Sequence, residues 1–133
     1  MADHVVVLES AQPFEPVCDA LARAVSAHGF GVIGSHNLGE TFRGKGLSFR
    51  EECRVFEVCE PHQAARVLGG DMQLSTALPC RISVYTEAGR TKVAMVRPQG
   101  LLQMLSSDPA LAEVAGEVEA TTLAIIREAV GQS

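Results

Sequence analysis

The most restrictive feature of this chain is its last quarter. Leu111, Val114, Ala115, Val118, Thr122, Ile125, Ile126 and Ala129 recur every three or four residues and form one apolar stripe. Asp108-Pro109 just before it combines an N-cap residue with a proline suited to a first helical turn. The spacing predicts a helix of about 22 residues, roughly 33 Å long, enough to cross the whole domain. The rest of the chain must supply the surface that this stripe covers.

Val5 to Leu8 is β-branched and bounded by Glu9-Ser10, which predicts a first strand. Val17, Leu21, Ala24 and Val25 follow at helical spacing, and Pro16 and Gly29 mark the ends of a helix from about 15 to 28. Strands are expected from Phe30 to Leu38 and from Phe49 to Cys59, with a connector of at most one helical turn between them. Pro61 opens a short helix that stops at Gly69-Gly70. Cys80 to Thr86 and Thr91 to Val96 read as a hairpin turning at Glu87 to Arg90. The order βαββαββα, with a hairpin, predicts an α+β fold. It should be a two-layer sandwich, a mainly antiparallel sheet of about five strands with helices on one face. Residues 1–133 are expected to form a single domain, since no linker, repeat or low-complexity tract interrupts them.

A chain of 133 residues with 47% hydrophobic residues can bury a core without disulfides, metals or a cofactor. Its 11 Lys and Arg against 16 Asp and Glu give a net charge of -5, which disfavours nucleic acid and anionic membranes as partners. Met1-Ala2-Asp3-His4 lacks a basic leader region, and no apolar run approaches the roughly 20 residues that span a bilayer. The expected location is the cytoplasm, where Cys18, Cys53, Cys59 and Cys80 are free thiols.

Several motifs look chemical. Gly29, Gly31 and Gly34 spell GxGxxG, but a dinucleotide site needs those glycines between a strand and a following helix, and here the order is reversed. His4, His28, His36 and His62 have no ligand spacing. Arg43, Lys45, Arg50, Arg54 and Arg66 form a loose basic cluster interrupted by Glu51 and Glu52, better suited to a solvated strand edge than to an anion site. Cys18 lies beside the stripe of the first helix as a small core residue. Cys53 and Cys59 stand about 20 Å apart on one strand and cannot share a metal.

Cys59 differs, because it ends a strand directly before Glu60-Pro61 and the start of a helix, where backbone amides stabilise a thiolate. Cys80 opens a strand after Leu78-Pro79. If the two strands are antiparallel neighbours, both sulfurs lie at one end of the sheet, with Cα atoms within about 7 Å if a disulfide is possible. Two unrelated buried thiols are the alternative. The candidate thiol or metal site is therefore Cys59 and Cys80, supported by Glu60, Pro61, His62 and Pro79.

The segment Phe56-Glu57-Val58-Cys59-Glu60-Pro61, continued by Ala64, Leu68 and Leu78-Pro79-Cys80, resembles the bacterial and archaeal family called domain of unknown function 302. The resemblance implies a small α+β domain, often a homodimer, with no settled activity. The family's recurring positions fall here on Cys59, Pro61, Leu78, Pro79 and Cys80.

Three function classes follow. The thiols bind a soft metal or carry redox or sulfur-transfer chemistry. Alternatively the chain is a binding module for a small molecule or a haem-like cofactor, with His62 and Met72 as candidate ligands. Or it is a structural or regulatory homodimer without chemistry. No nucleophile, base and orienting group occur together, so enzyme status stays open. Simple alternation places Phe56, Val58, Tyr85, Ala94 and Val96, mixed with Arg54 and Ser83, on the uncovered sheet face, and that face is the expected dimer surface.

Overall fold

The computed structural model describes residues 4–132; Met1, Ala2 and Asp3, read above for a leader region, lie outside the described residues. Five strands and five helices follow one another as β1 (Val5–Ser10), α1 (Phe14–Ala27), β2 (Gly31–Asn37), α2 (Leu38–Gly44), β3 (Cys53–Cys59), α3 (Pro61–Gly70), β4 (Cys80–Glu87), β5 (Arg90–Val96), α4 (Pro98–Leu105) and α5 (Pro109–Ala129). A 3-10 turn over Met72–Thr76 leads from α3 towards β4. The strands form one sheet in the order β1-β5-β4-β3-β2, and every neighbouring pair is antiparallel. This is the α+β class that the order of elements predicts.

Helix α5 holds the helical layer together, with α1, α3 and α4 all packed against it. Asp108 caps it, its Oδ1 accepting the Ala110 amide at 2.9 Å. Leu111, Val114, Val118, Ile125 and Ile126 are buried in the same core as Ile82, Val84 and Val93 of the sheet. No helix among the described residues is long and apolar enough to cross a membrane.

Three elements differ from the sequence expectation. The connector after β2 contains a full helix, α2, because Asn37 Oδ1 caps it by accepting the Glu40 amide at 3.0 Å. Strand β3 starts at Cys53 rather than Phe49. Arg43 Nη1 donates to the carbonyls of Phe49 and Glu51 at 3.0 and 3.2 Å and so takes acceptors that a ladder would need. Helix α4 is additional to the expected order. Arg97 provides no side-chain cap for it, and Glu119 of α5 does so instead. Glu119 Oε1 accepts the Gln99 amide at 3.0 Å and Oε2 accepts from Arg97 Nη1 at 3.3 Å.

The sheet faces also need one correction. Phe56 and Val58 are buried under the helices, and Arg54 shares their face, with its guanidinium 5.9 Å from the Phe14 ring centre. The pleat therefore gives the uncovered face to Cys53, Val55 and Glu57 of β3, while Ser83, Tyr85, Ala94 and Val96 fall there as expected. In β2 a bulge between Val32 and Gly34 shifts the register against β3. At Gly34 the Glu57 carboxylate lies close over the backbone, and a Cβ there would stand 2.6 Å from it unless the glutamate side chain shifted. Gly29 ends α1 at φ 81°. Gly31 and Gly34 lie within β2, not in a strand-to-helix loop as a dinucleotide site requires.

Two substitutions test this packing by denaturant unfolding. Ile125→Ala should cost about 2 to 5 kcal/mol through the cavity it leaves. Glu119→Ala should cost about 1 kcal/mol by uncapping α4. Unchanged midpoints would contradict the arrangement.

Candidate functional site

The end of the sheet where β3 runs out and β4 begins carries Cys59 and Cys80. Cys80 pairs with Val58 in the ladder, so Cys59 and Cys80 are diagonal neighbours. Strand spacing and rise set their Cα atoms about 6 Å apart. Cys80 shares the covered face with Val58 and packs on the core, whereas Cys59, the last residue of its strand, is half-buried and outside that cluster. All four cysteines are free.

Both residues line one cavity of about 30 Å³. Its wall comes from Phe30 before β2, Val58 of β3, Gln63, Ala64 and Val67 of α3, Leu78-Pro79, Pro98 and Leu102 of α4 and Val118 of α5. The Leu78–Pro79 bond is cis. A water needs about 10–15 Å³ of such space, and pockets for drug-sized ligands run to about 300–1,000 Å³. The cavity thus has the size of an ion or one or two waters, not of a haem.

Gln63 supplies the polar group that sequence reasoning did not find. Its Oε1 is a buried side-chain oxygen without a partner among the described residues, while its Nε2 donates to Glu117 Oε1 at 3.5 Å. Such an acceptor is costly to leave dry. Nothing in a single glutamine of a helical segment signals this. Pro98, which also lines the cavity, stands at the N-terminal end of α4, a helix that the sequence reading did not expect.

The supporting residues divide. Glu60 lines the cavity and caps α3, its Oε1 accepting the Gln63 amide at 2.8 Å. Pro61 occupies the first turn, and Pro79 is part of the wall. His62 is 93% exposed and points into solvent, held 2.8 Å from Glu60 Oε2 through Nδ1. The His62 contact and the Gln63 amide hold the Glu60 carboxyl below its usual range, and Glu60 in turn raises His62. Met72 is 70% exposed. His62 and Met72 therefore do not face the cavity as a ligand pair would.

Charge at the helix start acts against the thiolate that the sequence suggests. Burial raises the Cys59 thiol, and the neighbouring Glu60 carboxylate raises it further. The amides that would stabilise a thiolate already serve Glu60. Burial, and then the Cys59 charge, push the Cys80 thiol up to about 11. Cys18, buried in α1, also rises to about 11, chiefly through burial. The site is a pair of neutral thiols at neutral pH.

The remaining candidates do not join it. Cys53 lies at the other end of β3, its sulfur 3.9 Å from Ser83 Oγ. The arginine cluster is dispersed by pairing. Arg43 meets Glu52 at 3.0 Å, Arg54 meets Glu15 at 3.7 Å and Arg66 meets Glu117 at 3.3 Å. No group of three or more His, Cys, Asp or Glu suited to a metal ion occurs among the described residues.

Comparison with known proteins places this geometry among relatives. Residues 6–129 match the model of the family described as "Domain of unknown function DUF302". An uncharacterized conserved DUF302 protein from Bacillus stearothermophilus is similar in structure, with a TM-score of 0.90 and 32% sequence identity over 96% of this chain and 99% of that one. No curated protein matches.

The raised thiols make two measurable statements. At pH 7 a thiol with a pKa of about 11 holds about a hundredfold less thiolate than one at 9.0. Cys80 should therefore react with a disulfide reagent at least about a hundredfold more slowly than an ordinary exposed thiol, and rapid labelling at pH 7 would contradict its burial. A thiol whose folded-state pKa lies above 9.0 stabilises the fold below that pH, and the contribution is lost as pH rises towards about 11. The unfolding free energy should fall between pH 9 and 11, and less steeply in Cys80→Ala.

Proposed function

The chain belongs to the DUF302 family, and from that premise we propose that it is a small cytoplasmic binding domain in which Cys59 and Cys80 take up a soft metal ion. The observation that carries this reading is two neutral thiols on adjacent strand ends lining one ion-sized, largely apolar cavity. Thiolate sulfur selects soft metals, and a d10 ion such as Cu(I) is satisfied by two sulfurs, so the lack of a third ligand group among the described residues is no obstacle. Redox or sulfur-transfer chemistry is less well supported. It needs a standing thiolate or a base beside one, and burial together with Glu60 works against the first. A reducing compartment suits the reading because it keeps both sulfurs available.

Binding would break two S–H bonds, form two metal–sulfur bonds and release two protons to solvent. Competition between reduced protein and a Cu(I) chelator under anaerobic conditions tests it, in a Cys53→Ser background. One ion per chain is expected, with affinity falling about a hundredfold for each unit of decreasing pH. Either Cys59→Ser or Cys80→Ser should abolish competition. Retention of the ion by both variants would overturn the assignment.

A second observation favours a homodimer. On the uncovered face Val7, Ala94, Ser83 and Val55 form one cross-strand row, and Val5 pairs with Val96 beside it. Val5, Val7 and Val96 are each close to half exposed. Five strands of this length present a face of roughly 500 Å², and two such faces reach the roughly 1,000 Å² of a specific interface. Sedimentation should give twice the 14.1 kDa chain mass, falling to the chain mass when Val7 and Val55 are both replaced by Glu. A monomeric wild-type protein at micromolar concentration would refute the dimer.

A further inference from the structure

The segment Leu78-Pro79-Cys80 also borders a second cavity. A groove of about 130 Å³ runs between this segment and α4, lined by Leu78, Cys80, Val96, Pro98 and Leu101, with Arg81 the charged residue in the lining. We propose that this groove binds a short-chain aliphatic monocarboxylate, its alkyl chain along the apolar walls and its carboxylate on the Arg81 guanidinium.

The volume sets the size of the ligand. A void of about 150 Å³ is enough for benzene, so this groove suits a chain of about five or six carbons. The walls offer that chain leucine, valine and proline side chains and no charge but Arg81. The cation is available. Arg81 is 63% exposed, and its ion pair with Glu57 spans 3.8 Å. Glu57 has a closer neighbour in His36 Nε2 at 3.3 Å, so Arg81 can turn to a ligand without isolating that carboxylate. Other cations are held more tightly. Lys92 meets Glu87 at 2.8 Å, and Arg43 is anchored by Glu52 and two carbonyls.

The sign and number of charges follow from the surroundings. A planar guanidinium matches a carboxylate through paired N–H donors. One arginine beside Glu57, in a chain of net charge -5, favours a monoanion over a dianionic phosphate. A neutral alcohol would gain the walls but lose the ion pair.

Titration of the intact protein with hexanoate, followed by amide chemical shifts, tests the groove. The expected result is saturable binding with a Kd of about 1 mM, with shifts centred on Leu78, Arg81 and Leu101. Hexanol and acetate should each bind at least tenfold more weakly, and so should Arg81→Gln with hexanoate. Leu101→Trp, which fills the groove from a half-buried position, should abolish binding; if that variant does not fold, Arg81→Gln decides the matter. Cys59→Ser, which lies outside the groove lining, should leave hexanoate binding in place, and this separates the site from the metal reading. Equal affinity for hexanol, no effect of Arg81→Gln, or tighter binding of hexyl phosphate would overturn the proposal.

Discussion

The contact between α5 and the layer around it is the constraint on which the other elements depend. α1, α3 and α4 share this one long neighbour, and the stripe from Leu111 to Ala129 joins them to the covered face of the sheet. Glu119 extends that role beyond apolar packing. From the flank of α5 it supplies the start of α4 with an acceptor that Arg97 cannot provide, and thereby fixes Pro98 and Leu102 against the thiol cavity. The wall of the site is thus positioned by a helix whose own contribution to that wall is Val118.

Electrostatics at the start of α3 illustrate how an attractive local argument can be reversed by its neighbours. A helix N-terminus offers amides to an anion, and Cys59 sits beside one. Glu60 is closer and already charged, so it takes the Gln63 amide and leaves Cys59 facing a carboxylate instead. Desolvation acts in the same direction on Cys80. The consequence is a pair of protonated thiols rather than a standing thiolate.

Much of the fold was legible because periodicity and caps are local. Asp108-Pro109 with its stripe, Glu60-Pro61 and the hairpin around Ala88-Gly89 announce their elements within a few residues. The placement of Cys59 and Cys80 at one sheet end depended on the two strands being antiparallel neighbours, as the ladder between β3 and β4 makes them. What stayed hidden depends on side-chain contacts that no local pattern announces. Glu119 lies some twenty residues from the helix it caps, Arg43 removes Phe49 and Glu51 from the ladder, and the unpartnered Gln63 oxygen becomes visible only when α3 and α5 are packed. The face assignment of Phe56 and Val58 failed for a simpler reason. Two-fold alternation tells which residues share a face but not which face the helices cover.

The two borders of the sheet are unlike. On the β2 side the bulge at Val32/Gly34, with Glu57 lying against the bare glycine, breaks the regular row of outward donors and acceptors. On the β1 side six residues, each paired in unbroken register with β5, leave a straight border. The β1 border, unlike the β2 border, therefore keeps a regular row of outward backbone groups.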